Sequence, residues 1–149
     1  MSHSTNSLFC AGDKTMMITE NVLSEIEACK QVCVECQDTC IETLNYCKSV
    51  DSKSINMSLM CMMRDCAEMC MMCVNLIVDG SEFMGRTCQL CAEMCISTAI
   101  ACEAMGNDAK LQHCANICRQ CAESCKTIGF KSSSYFRREN NISLDSLSI

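Results

Sequence analysis

The chain has 149 residues, 18 of them cysteine and 13 methionine, with no proline or tryptophan and only 5 glycines. Its formal charge is −6, and 49% of its residues are hydrophobic against 20% charged, which excludes disorder, a collagen-like repeat and a turn-rich β-sandwich. The acidic balance offers nothing to a phosphate backbone, so nucleic acid is not an expected partner, and no apolar run reaches the roughly 18 residues of a membrane span.

Residues 1–18 have neither a basic start nor an apolar stretch of the kind that opens a secretory signal. Cysteine density alone suggests an oxidised scaffold. The missing signal points the other way, to reduced thiols and a cytoplasmic location. His3 and Cys10 read as residues of this N-terminal extension.

A helix is expected over 19–49, carrying Cys29, Cys33, Cys36, Cys40 and Cys47. Asp51-Ser52-Lys53-Ser54 reads as a turn with a helix cap. The second helix, 55–79, carries Cys61, Cys66, Cys70 and Cys73, and Asp79-Gly80-Ser81-Glu82 reads as its stop followed by the next cap. The third, 82–105, holds Cys88, Cys91, Cys95 and Cys102. Gly106-Asn107-Asp108 leads into a fourth, 108–128, with Cys114, Cys118, Cys121 and Cys125, and Gly129 is expected to end it. Residues 130–149 form a polar C-terminal extension. Short connections between helices favour antiparallel neighbours, so the expected fold is all-α: an up-down-up-down four-helix bundle over 19–129.

An α-helix turns about 100° per residue, so offsets of 4, 7 and 11 stay within an arc of about 60°. Cys114, Cys118, Cys121 and Cys125 share such an arc, as do Cys29, Cys33, Cys36 and Cys40, and Cys47 returns to the same direction. Cys88, Cys91, Cys95 and Cys102 form a third stripe. These are the positions at which a soluble bundle places Leu or Ile, so the thiols are expected to line the interior. The second helix is less regular, because Cys61 sits about 140° from Cys66. Either that helix is wound differently there, or Met62 lines the core and Cys61 faces a neighbour or the bundle end.

A single cysteine at a core position is a small buried hydrophobe. Four stripes of them leave too little apolar volume for a packed core unless something fills it. Disulfides are a second bland reading, but near-continuous stripes are a wasteful way to staple helices. Soft metal uses every feature. Cu(I) accepts two or three thiolates, and about one ion per thiolate neutralises an array that is otherwise prohibitively charged. Zinc wants discrete sites with about four ligands, and the loop order of ferredoxin-type iron–sulfur runs is absent. In the antiparallel arrangement Met57, Met60, Cys61, Met62, Met105 and His113 gather at one end, where copper is expected to enter. The other end is greasier, with Val22, Ile26, Leu76, Ile77, Val78, Phe83 and Ile128.

The segments CKQVCVECQDTC (29–40), CAEMCMMC (66–73), CQLCAEMC (88–95) and CANICRQCAESC (114–125) resemble the bacterial four-helix-bundle copper storage proteins. The resemblance covers about 19–128 and implies a non-enzymatic, cytosolic homotetramer that stores many Cu(I) ions on the cysteines of the helix seams. The off-seam Cys61 departs from the pattern, and Cys61, Met62 and His113 are further candidate ligands read from the residues themselves. Copper chaperones or small thiols are the candidate exchange partners. A zinc or iron–sulfur bundle, or a thiol redox protein, are the alternatives. The last needs an activated, accessible thiolate, whereas the C-x-x-C pairs at 33–36, 70–73, 88–91 and 118–121 lie mid-helix and face inward.

Overall fold

A computed structural model describes residues 20–50 and 56–139 of the chain. These form α1 (Glu20–Ser49), α2 (Met57–Asp79), α3 (Met84–Glu103) and α4 (Ala109–Glu139). Among the described residues no helix is long and apolar enough to cross a membrane.

Local chemistry places the helix ends. Asn56 opens α2, its side-chain oxygen accepting from the Leu59 N–H at 2.8 Å; residues 51–55, where a cap was expected, lie outside the described residues. Gly80 closes α2 in the left-handed conformation at φ 64°, its N–H bonding the Ile77 carbonyl while Ser81 N–H bonds that of Leu76. Ser81 then accepts from the Phe83 N–H at 3.1 Å, so it orders the turn ahead of α3 without being its cap. Asp108 Oδ1 caps α4 through the N–H groups of Lys110 and Leu111.

Asp108 has a second role. Its Oδ2 accepts a 2.6 Å hydrogen bond from the Tyr46 hydroxyl, tying the end of α1 to the start of α4. The Tyr46 hydroxyl, followed by the Leu111 N–H, holds the Asp108 carboxyl below the usual carboxylate range, and the same carboxylate raises the Tyr46 phenol. A lowered carboxyl stabilises the fold above its unfolded pKa of about 4 and loses that contribution as pH falls through the folded value; a raised phenol does so below about 10. Asp108→Ala in the metal-free protein is expected to cost about 1 kcal/mol near neutral pH. That deficit against the parent chain should shrink below pH 4 in denaturant melts.

Each helix carries one buried seam with alternating steps of three and four residues. In α2 it runs Leu59, Met63, Cys66, Cys70, Cys73, Ile77, and in α4 Leu111, Cys114, Cys118, Cys121, Cys125, Ile128. α1 continues Ile26, Cys29, Cys33, Cys36 and Cys40 through Thr43 or Leu44 to Cys47, and α3 runs Cys88, Cys91, Cys95, Thr98 or Ala99, Cys102. Helices neighbouring in sequence are neighbours in space, and α4 closes the ring against α1. Cysteine meetings fix the direction: Cys29 lies beside Cys125 but Cys40 beside Cys114, and Cys66 beside Cys95 but Cys70 beside Cys91. Both pairs of helices run antiparallel.

Gly129 does not end α4, which continues to Glu139. The glycine is there for proximity. A Cβ at this position would sit 2.6 Å from Gln89 Cγ and 3.1 Å from the Gly85 carbonyl oxygen. Its missing side chain lets the end of α4 lie against the start of α3, where Gln89 Nε2 donates to the Gly129 carbonyl at 3.3 Å. Lys131 adds an ion pair to Glu25 of α1 at 2.5 Å.

Candidate metal centre

Sixteen cysteines are buried at 4% exposure or less, and among the described residues none forms a disulfide. Their sulfurs touch along the bundle axis. The contacts are 3.5 Å for Cys33–Cys125, 3.6 Å for Cys66–Cys95, and 3.8 Å for Cys36–Cys118, Cys40–Cys118 and Cys33–Cys121.

Five sets have all their sulfurs within 4.8 Å of one another. In axial order they are Cys29/Cys88/Cys125, then Cys33/Cys73/Cys91/Cys125, then Cys70/Cys91/Cys95/Cys121, then Cys36/Cys66/Cys70/Cys95, then Cys36/Cys40/Cys66/Cys118. Each set shares at least one cysteine with the next: Cys125, then Cys91, then Cys70 and Cys95, then Cys36 and Cys66. The sites are therefore links of one chain. Cys114 extends it, 3.9 Å from Cys40. Cys47 and Cys102 are buried at the same end but belong to none of the five sets.

The protonation of these thiols is coupled. The contact with Cys118, foremost, holds the Cys36 thiol low, and that with Cys121 does the same for Cys91. Cys118 is pushed up, foremost by Cys114, and Cys121 foremost by Cys125. Burial, followed by the Asp108 carboxylate, raises Cys47. One thiolate here depends on neighbours that keep their protons. Ionising the whole array requires a cation beside each sulfur.

Three of the candidate ligands lie outside the array. Met62 is only half-buried and outside the core, while Met63 is fully buried and occupies the seam three residues before Cys66. The repeat 59-63-66-70-73-77 carries this signal, and it becomes visible when the cysteine spacing is continued backwards through the aliphatic residues. Cys61 lies off the array, half-buried, with the Arg64 guanidinium 3.9 Å from its sulfur. His113 is exposed on α4 and enters no metal-sized group among the described residues. Aliphatic side chains flank the array at both ends. Leu44, Leu59 and Leu111 are buried at the Met-rich end, as Ile26, Ile77 and Ile128 are at the other.

A family model described as copper storage protein matches residues 19–129. A cysteine-rich protein of Bacillus subtilis (strain 168), itself named as uncharacterised, is 29% identical over 102 residues, 68% of this chain and 94% of that one. Among solved structures, a Nitrosospira multiformis protein superposes with a TM-score of 0.66 at 32% identity, covering 71% of this chain and 95% of its own. The Cu(I)-bound copper storage protein BsCsp3 superposes with a TM-score of 0.67 at 28% identity, covering 70% and 98%.

Proposed function

We propose, since the chain belongs to the copper storage protein family, that it holds many Cu(I) ions on the thiolates inside its bundle and serves as a store, with no catalytic step. The carrying observation is the sharing of cysteines between successive sets. A soft monovalent ion that takes two or three sulfurs, and lets each sulfur bridge, can fill such a chain at about one ion per thiol. As the charge of each added ion replaces a thiol proton, the interior stays near neutral.

Zinc meets the same geometry badly. Of the four four-cysteine sets, at most two are free of shared members, for example Cys33/Cys73/Cys91/Cys125 with Cys36/Cys40/Cys66/Cys118. Tetrahedral Cys₄ coordination therefore saturates at about two ions per chain. Anaerobic titration of the reduced protein against a chromophoric chelator is expected to end near the number of interior thiols for Cu(I) and near two for Zn²⁺. A Cu(I) end point of two to four equivalents would replace the store with a few discrete sites.

The proposed interior ligands are the sixteen buried cysteines, with the Met63 thioether on the α2 seam between Leu59 and Cys66. Residues 19–129 form the storage unit in this reading. A cytoplasmic location follows from the need to keep these thiols reduced. Assembly into a homotetramer is supported by apolar side chains left outside on α1 (Val34, Ile41), α2 (Met71, Met72) and α3 (Ile96, Ile100).

A further inference from the structure

Outside the bundle core, α1 and α2 enclose a small pocket lined by Leu44, Lys48, Met57, Met60, Cys61 and Arg64. Its composition differs from every other part of the surface described above. One thiol and two thioethers face a common space, and two cations flank them. Cys61 is the only described cysteine that is not buried. Met57 is 70% exposed, an unusual position for so apolar a side chain. Leu44 belongs both to this pocket and to the buried core, so the pocket adjoins the interior cluster.

We propose that this pocket is an outer Cu(I) transfer site, which receives the ion from a complex with a small anionic thiol before it passes to the core. The inference rests on the copper storage reading. Thiol and thioether sulfur are the donors that select Cu(I) over harder ions, and Cys61, Met57 and Met60 supply three. A low-molecular-weight thiol that carries carboxylates matches Lys48 and Arg64, whose charges hold it against the pocket while its metal exchanges. In the transfer the Cu–S bond of the incoming complex breaks and a Cu–S bond to Cys61 forms. The Cys61 proton moves to the departing thiolate, and copper remains Cu(I) throughout. Arg64 Nη2 donates to the Cys61 sulfur at 3.9 Å, which keeps one of the two cations directly beside the receiving thiol.

Stopped-flow loading from the Cu(I)–glutathione complex under anaerobic conditions tests this, with capacity read separately by chelator competition. Cys61→Ser is expected to slow loading about tenfold while removing no more than one equivalent of capacity. Lys48→Gln with Arg64→Gln should slow loading from Cu(I)–glutathione but not from Cu(I) bound to the uncharged thiol mercaptoethanol. Unchanged rates in Cys61→Ser overturn the transfer site. Loss of several equivalents in that variant also overturns it, because Cys61 then belongs to the interior array. Equal slowing with both thiols in the double variant overturns the anionic-carrier assignment. A parent protein that fails to take up many ions refutes the storage reading instead, and the capacity measurement separates the two failures.

Discussion

Replacing Cys33, Cys70, Cys91 and Cys118 together with serine is expected to remove more copper than the four thiols lost. Cys91 and Cys70 each belong to two of the five sulfur sets and between them break three, Cys33 shares one of these, and Cys118 breaks a fourth, so only Cys29/Cys88/Cys125 survives complete. A capacity set by independent ligands falls in proportion to the thiols removed. A capacity set by linked groups falls further, because each shared sulfur supports two ions. The helices themselves should survive. Serine at these positions can return its hydroxyl to the carbonyl one turn back, as Thr43 does to Thr39 at 2.7 Å and Thr98 to Met94 at 2.8 Å. Chelator competition and far-ultraviolet circular dichroism on the same sample check both halves. An unchanged end point would place the copper elsewhere, and a loss of just four equivalents would mean separate sites.

Loading should also raise the unfolding temperature by tens of degrees. The metal-free interior is held by small side chains, whose sulfurs contribute less buried apolar area than leucines at the same seams. Along the seams, leucine and isoleucine are confined to the two ends. Each ion that binds the folded chain and not the unfolded one adds about 4 kcal/mol at a free concentration a thousand times its Kd. Four such ions supply about 16 kcal/mol, and a chain of this size gains roughly 2–4 °C per kcal/mol. Thermal melts of the reduced metal-free and loaded forms, with the metal-free form kept anaerobic, provide the comparison. Coincident melts would mean that copper does not bridge the helices.

Much of the fold was legible because thiol and aliphatic positions obey one repeat. The steps of three and four between cysteines are those of a bundle seam, and they located all four helices and their inward faces. Gly80 and Asp108 marked boundaries for reasons visible in their chemistry: a left-handed stop and a carboxylate cap. Other features depended on packing. From Cys66, a step back of four points about 40° one way and a step of three about 60° the other, so angle alone favoured Met62. The choice of Met63 follows only when Leu59 and Ile77 are seen to share its seam. Gly129 has two meanings in sequence, helix stop or close approach, and Gln89 and Gly85 decide between them. The pocket at Cys61 was half legible: Met57, Met60, Cys61 and Arg64 share one face of α2, whereas Leu44 and Lys48 come from α1 and depend on the packing of the two helices.

The contact at Gly129 also bears on how the molecule accommodates its cargo. Two metal–sulfur bonds of about 2.3 Å, the zinc–thiolate length taken as a scale, span about 4.6 Å when linear and about 4.0 Å at 120°. The metal-free sulfurs stand 3.5 to 3.9 Å apart in their closest pairs. Filling therefore rotates thiols or widens the tube. At the α3–α4 seam the backbone of Gly85 already bears on Gly129, and the bidentate Arg119–Glu103 pair, at 2.7 and 2.8 Å, clasps the same two helices farther along. That side is the more tightly tied. α1 and α2 instead leave room for the outer sulfur pocket between them, so a widening of the tube meets less packing there, beside Cys61.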